Sequence, residues 1–218
     1  MELNRYIEHT LLKQNATREE VKKLLDEAIE HNFLGVCVNP CNVKFAKEYL
    51  INTNVKVVTV IGFPLGQSTT EVKVLETVDA IKNGADEIDM VINGGKLVDG
   101  DDDYIVEEIS KIKIACQGNN LKVIIETDLL TPDLIKKACE LSIKGGADFV
   151  KTSTGFVKNG VGAKAEDVRL MYETVKEAGL LVKASGGIRD KQTALDMIEA
   201  GAVRLGTSSG VKIVEDQG

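Results

Sequence analysis

Gly84-Ala85-Asp86-Glu87-Ile88-Asp89, Gly146-Ala147-Asp148-Phe149-Val150-Lys151 and Gly201-Ala202-Val203-Arg204-Leu205-Gly206 repeat one arrangement. Each has a glycine that stops a helical pattern, then a small residue, then a short apolar run that reads as a buried strand. Gly179-Leu180-Leu181-Val182-Lys183 repeats it one residue shorter. A helix stop followed at once by a buried strand is the junction of an alternating α/β chain, and its recurrence implies parallel strands joined by helices. Counting on from the glycines, the repeat predicts Asp89, Lys151, Lys183 and Gly206 at the finishing ends of their strands.

Outward from the repeat, helix starts alternate with strand-like runs. Thr17-x-x-Glu20 is a capping box opening a helix to about His31, with Val21, Leu24, Leu25, Ala28 and Ile29 on one face. Ser68-x-x-Glu71 predicts a second, carrying Val72, Leu75, Val78 and Ile81 and ending at Asn83-Gly84. Thr131-Pro132 supplies a cap with proline at the first helical position. Strands fall near His9-Thr10, Val36, Val58, Asp89, Ile124, Val150, Val182 and Val203. Units of about 27 residues predict a (β/α)8 TIM barrel over residues 1–218 as one domain. The alternative is a doubly wound open sheet, for which no G-x-G-x-x-G follows the first strand.

Composition agrees with a folded enzyme-sized domain. The 218 residues are 43% apolar and 28% charged, which excludes disordered, collagenous and fibrous classes. No apolar run approaches the roughly 18 residues of a membrane span, and Met1-Glu2-Leu3-Asn4-Arg5-Tyr6 lacks a signal-peptide profile, so a cytoplasmic location is expected. A net charge of −7 argues against nucleic acid as a partner. Four scattered cysteines and only His9 and His31 offer neither a disulfide scaffold nor a zinc spacing, and Cys37-x-x-x-Cys41 reads as buried thiols.

In a barrel of this class the C-terminal strand ends form the catalytic face. Lys151 and Lys183, on neighbouring strands about 4.8 Å apart, would bring two amines to one side of it. One of them could instead point outward and snorkel to solvent. Together they suggest an amine made nucleophilic by its neighbour's charge. At an effective dielectric near 20 that charge is worth about 4 kcal/mol, enough to bring a lysine from about 10.4 to between about 7 and 8. Such an amine forms Schiff bases with carbonyl compounds. Asp89 would stand beside them as a proton carrier, or else as a capping or ion-paired carboxylate. Ser185-Gly186-Gly187 and Gly206-Thr207-Ser208-Ser209-Gly210 follow the seventh and eighth strands, where barrels commonly bind phosphate through backbone N–H groups.

Phe149-Val150-Lys151-Thr152-Ser153-Thr154-Gly155 and Val182-Lys183-Ala184-Ser185-Gly186-Gly187-Ile188-Arg189 closely resemble the signatures of the class I deoxyribose-phosphate aldolase family. His9 to Lys13, Gly35 to Pro40, Ile61 to Gly66, Ala85 to Val91, Ile124 to Thr127 and Gly206 to Ser209 match as well, so the resemblance covers nearly the whole chain. It implies reversible cleavage of 2-deoxy-D-ribose 5-phosphate to acetaldehyde and D-glyceraldehyde 3-phosphate, without metal or cofactor. It implies Lys151 as the Schiff-base lysine, Lys183 as its activating neighbour and Asp89 as the relay carboxylate. Gly186, Gly187, Gly206, Ser208 and Ser209 would contact the phosphate, while Thr154 and Thr10 would line the sugar end. Cys37 would look into the site, or be a plain buried thiol.

The chain departs from the family at Glu8-His9-Thr10, where aspartate is usual, at Lys164, where threonine is usual, and at its Asp216-Gln217-Gly218 end, where some members carry a tyrosine. Lys158, Lys164 and Arg189 are reserve candidates for the phosphate. Competing readings are a phosphosugar isomerase or epimerase on the same barrel, and a phosphosugar-binding barrel without turnover. The paired lysines favour the aldolase, since an epimerase needs no activated amine. A homo-oligomer, dimer or tetramer, is expected.

Overall fold

A computed structural model describes residues 2–216, so the chain's Gln217-Gly218 end lies outside it. Eight strands stand where the repeat and its extensions put them: β1 (Ile7–Leu11), β2 (Gly35–Val38), β3 (Lys56–Ile61), β4 (Glu87–Val91), β5 (Asn120–Ile124), β6 (Phe149–Lys151), β7 (Leu181–Ser185) and β8 (Ala202–Thr207). They pair in parallel in chain order, and β8 closes on β1 through Ile7 opposite Leu205. That closure makes the (β/α)8 barrel and excludes the open doubly wound sheet.

The helices are α1 (Arg18–Glu30), α2 (Val43–Tyr49), α3 (Thr70–Lys82), α4 (Gly94–Asp99), α5 (Asp102–Ala115), α6 (Pro132–Lys144), α7 (Ala165–Val175), α8 (Lys191–Glu199) and α9 (Gly210–Glu215). Helix α1 forms for the reason its sequence suggests. Thr17 accepts from the Glu20 N–H while Glu20 reaches back to the Thr17 N–H at 2.8 Å, and Val21, Leu24, Leu25 and Ala28 bury against β1 and β2. Losing the cap would cost about 1 kcal/mol, and Leu25→Ala about 2–5 kcal/mol.

Helix α3 corrects the sequence reading twice. Its cap is Thr69 rather than Ser68, and Val72, Leu75 and Val78 face outward. The buried face is Thr70, Lys73, Thr77 and Ala80. Lys73 donates to Glu108 of α5 at 2.6 Å and to the Val91 carbonyl at 2.8 Å. Thr77 and Ala80 let the helix come close, so α3 docks through a polar, small-residue seam that an apolar stripe cannot reveal.

Strand alternation divides the barrel into two regions. Ile7, Val36, Val38, Val57, Ile88, Met90, Leu121, Val123, Val150, Val182 and Leu205 point outward into the main core under the helices. Inside, Cys37, Val58 and Val60 form a small apolar cluster. The remaining interior is charged and buried: Glu8, Glu87, Asp89, Lys122, Lys151 and Lys183. Asp89 and Lys183 do not end their strands as expected; each is the third of five residues, whereas Lys151 is the third and last of β6. The strand starts three residues after Gly84 and Gly146, two after Gly179 and one after Gly201, so the helix-ending glycine marks that a strand follows without fixing where it ends.

Candidate active site

The β6–β7 register sets Lys151 directly opposite Lys183, and the β4–β5 register sets Asp89 opposite Lys122. Side chains at one depth then meet on the barrel axis. Asp89 Oδ2 accepts from Nζ of Lys151 at 2.8 Å and of Lys183 at 2.6 Å, while Oδ1 accepts from Lys122 Nζ at 3.0 Å. Lys183 also donates to Glu8, and Lys122 Nζ stands 2.5 Å from Glu87 Oε2 and 3.5 Å from Glu8 Oε1. The lysine pair is thus interleaved with carboxylates. A buried ammonium left unpaired would cost several kcal/mol, and this arrangement leaves none unpaired.

Lys122 and Glu87 were not among the sequence candidates. A lone lysine between Leu121 and Val123 is the available signal, because its alternation with Ile124 puts it on the inward face. Glu8 is fully buried and reaches Lys183 rather than open space.

The charges hold one another. Burial alone would raise the Asp89 carboxyl, but the Lys122, Lys151 and Lys183 ammonium groups override it and hold it well below the carboxylate range. Burial opposes charge on Lys183 too, yet Asp89 and Glu8 raise it above the ordinary lysine value. Lys122 is raised in the same way, chiefly by Asp89 and Glu8 against burial. Against its own burial, Glu87 is held down to about 2 by Lys122 and Lys56. Glu87 Oε1 accepts from Lys56 Nζ at 2.6 Å, and the Lys56 side chain opens β3 with 41% of its surface exposed. A continuous thread therefore runs from Lys151 through Asp89, Lys122 and Glu87 to Lys56.

Of the three interior amines, Lys151 lines a cavity of about 670 Å³ at the C-terminal ends of the strands. Thr10, Thr154, Gly186, Gly187, Gly206 and Ser208 line it too, with Lys13 and Arg189. Asp89 and Lys183 lie beneath its floor, fully buried. Gly186 and Gly187 adopt φ of +83° and +75°, and a Cβ on Gly187 would fall 2.2 Å from the Val161 carbonyl oxygen.

Ser209 stands apart from the other expected phosphate contacts. It lines a separate hollow with His9 and Glu27, and its N–H is bound to Thr207 Oγ1 at 2.9 Å. The helix after it starts at Gly210. Lys158 lines a second cavity of about 610 Å³ that shares Thr154 and Phe156 with the first, while Lys164 sits at the N-cap of α7. Cys37 is buried in the barrel, and desolvation pushes its thiol up to about 11, as a packing residue would be. Among the described residues, no group of three or more His, Cys, Asp or Glu is placed to hold a metal ion.

An amine facing a cavity from a charged, buried floor, with glycine-lined loops across from it, can attack a carbonyl carbon while the loops hold an anion. Comparison with known proteins agrees. The model of the DeoC/LacD family aldolases matches residues 5–215. A deoxyribose-phosphate aldolase of Finegoldia magna is 56% identical over 215 residues, spanning 99% of this chain and 100% of the relative. That of Enterococcus faecalis is 57% identical over 215 residues, spanning 98% and 96%. The tetrameric deoxyribose phosphate aldolase of Aeropyrum pernix superposes with a TM-score of 0.90 at 36% identity, over 98% of this chain and 89% of that one.

Proposed function

Because this chain belongs to the DeoC/LacD aldolase family, we propose that it is a lyase cleaving 2-deoxy-D-ribose 5-phosphate reversibly to D-glyceraldehyde 3-phosphate and acetaldehyde. The observation that carries the reading is that Lys151, of three interior amines, opens into the cavity. In the synthetic direction the Lys151 amine nitrogen adds to the acetaldehyde carbonyl, and the carbinolamine loses water to give an iminium. Loss of a C2 proton gives an enamine, whose carbon attacks the aldehyde of glyceraldehyde 3-phosphate. The new alkoxide takes up a proton, and water hydrolyses the iminium to free Lys151. Cleavage reverses these steps, with the protonated nitrogen as electron sink.

Lys183 rests as a cation, since Asp89 and Glu8 favour its protonated form, and exchanges its proton through Asp89 during turnover. Asp89, touching both amines through one oxygen, carries protons between them. Gly186, Gly187, Gly206 and Ser208 receive the phosphate through backbone N–H groups, with Arg189 at the rim. Ser209, whose N–H is bound to Thr207 Oγ1, is left its hydroxyl as the group to offer the same anion. Thr10 and Thr154 line the sugar. An isomerase or epimerase reading leaves the amine cluster without a task.

The same reading covers setting and assembly. All four cysteines are free, which suits a reducing cytoplasm. No helix among the described residues is long and apolar enough to cross a membrane. Val72, Leu75 and Ile114, exposed along α3 and α5, form a face suited to a second copy of the chain in a homo-oligomer. The function is tested by borohydride reduction with acetaldehyde and peptide mapping, which should mark Lys151; no adduct would reject the Schiff-base mechanism.

A further inference from the structure

We infer that the turn after β5 is a two-ended clamp, in which Asp128 is a positioning residue for the substrate's phosphate and Glu126 one for the reacting amine. The inference rests on the phosphate reading above. Glu126 is held in the left-handed region at φ 62° and ψ 67°, and a single 3-10 turn follows over Thr127–Leu129. A glutamate in that region is strained, and such strain persists where surrounding contacts demand it. Here the kink sends both carboxylates across to the loop between β6 and α7.

Glu126 grips the near end of that loop. Its carboxylate accepts from the Thr154 N–H at 3.2 and 3.3 Å and from the Thr154 hydroxyl. The Thr127 N–H donates to the Thr152 carbonyl at 2.9 Å. These contacts fix the backbone that leaves Lys151.

Asp128 grips the far end. Oδ2 accepts from the Gly162 N–H at 2.8 Å and Oδ1 from the Val161 N–H at 3.3 Å. A Cβ on Gly160 would fall 2.6 Å from Asp128 Oδ2, so the loop is closed around the carboxylate. The held segment is in turn the back wall of the phosphate glycines. Ala163 N–H donates to the Gly186 carbonyl at 3.0 Å, and a Cβ on Gly162 would fall 2.4 Å from the Gly186 carbonyl carbon. Asn159 at φ 60° and Gly162 at φ 81° are permissive positions that would sample other conformations without a tether. Asp128 itself does not line the cavity, and its charge is taken up by two backbone N–H groups, so it would act on the phosphate through the loop.

The two ends should separate kinetically. In Asp128→Ala, KM for 2-deoxyribose 5-phosphate should rise about tenfold with kcat changed less than about twofold, and 2-deoxyribose should be turned over as before. Asp128→Asn keeps one acceptor oxygen and should fall between, which carries the test should the alanine variant not fold. Glu126→Gln should lower kcat for both sugars alike. Asp128 variants that harm both sugars equally would overturn the inference and show a merely structural contact. A wild-type protein with no preference for the phosphorylated sugar would instead reject the phosphate reading, and the inference with it, before any variant is compared.

Discussion

Lys151 faces Lys183 across the β6–β7 ladder, and the two amines share one oxygen of Asp89 at 2.8 and 2.6 Å. Their difference in accessibility predicts their chemistry. Borohydride trapping with acetaldehyde should add a two-carbon unit to Lys151 alone, and Lys151→Arg should be inactive. Lys183→Leu should retain the fold but lose about 10²-fold or more in turnover, because a proton-transfer partner of the reacting amine is gone. A stable adduct on Lys183 would reverse the assignment.

Ser208→Asp should place like charge against the phosphate. The advantage of 2-deoxyribose 5-phosphate over 2-deoxyribose should shrink by about tenfold or more, while trapping of acetaldehyde on Lys151 continues. Equal losses for both sugars would send the search for the phosphate elsewhere, to Arg189 first.

Acid should unfold the barrel through its buried carboxylates. The folded-state pKa of Glu87 lies near 2, below its unfolded value of about 4.3, so its stabilisation is present above about 4 and is lost as pH falls towards 2. The difference corresponds to about 3 kcal/mol. Thermal melts of the wild type should drop steeply across that window, and Glu87→Gln should start lower at pH 7 and fall less. Parallel curves for the two would remove Glu87 from the acid response.

Lys73 and Glu108 form a fully buried pair behind β4. Lys73→Met alone should cost about 3–5 kcal/mol in urea denaturation, since Glu108 is left unpaired. Adding Glu108→Leu should recover most of that loss. Strictly additive losses would show that packing volume, and not charge, governs the seam.

The outward face of α3 and α5 should mediate self-association. Leu75→Asp and Ile114→Lys should lower the sedimenting mass with the circular dichroism spectrum retained. Unchanged mass in both would place the contact on another face.

Strand positions were readable because a helix-ending glycine and a following apolar run are local signals; the repeat marks β4, β6, β7 and β8, and the other four follow from the alternation of helix starts with short apolar runs. What escaped depended on contacts between elements. Val72, Leu75 and Val78 look like a core stripe, yet only the distant Glu108 explains why Lys73 and not Leu75 turns inward. Lys122 acquires meaning from the β4–β5 register, which sets it against Asp89 some thirty positions earlier in the chain. The bond from the Ser209 N–H to the Thr207 hydroxyl, two residues back in the same loop, is likewise invisible to a motif. Lys151, Lys183 and Asp89 were legible together because each stands third in its strand.

The thread from Lys151 to Lys56 makes the barrel electrically open at both rims. Its links at Asp89, Lys122 and Glu87 are ion pairs in surroundings that water does not screen, so a change of charge at one end is felt at the other more strongly than distance suggests. Lys56 is then a solvent-facing handle on chemistry carried out at the opposite mouth. Lys56→Met, far from any substrate, is expected to displace the pH profile of turnover; an unmoved profile would mean that Lys122 insulates one rim from the other.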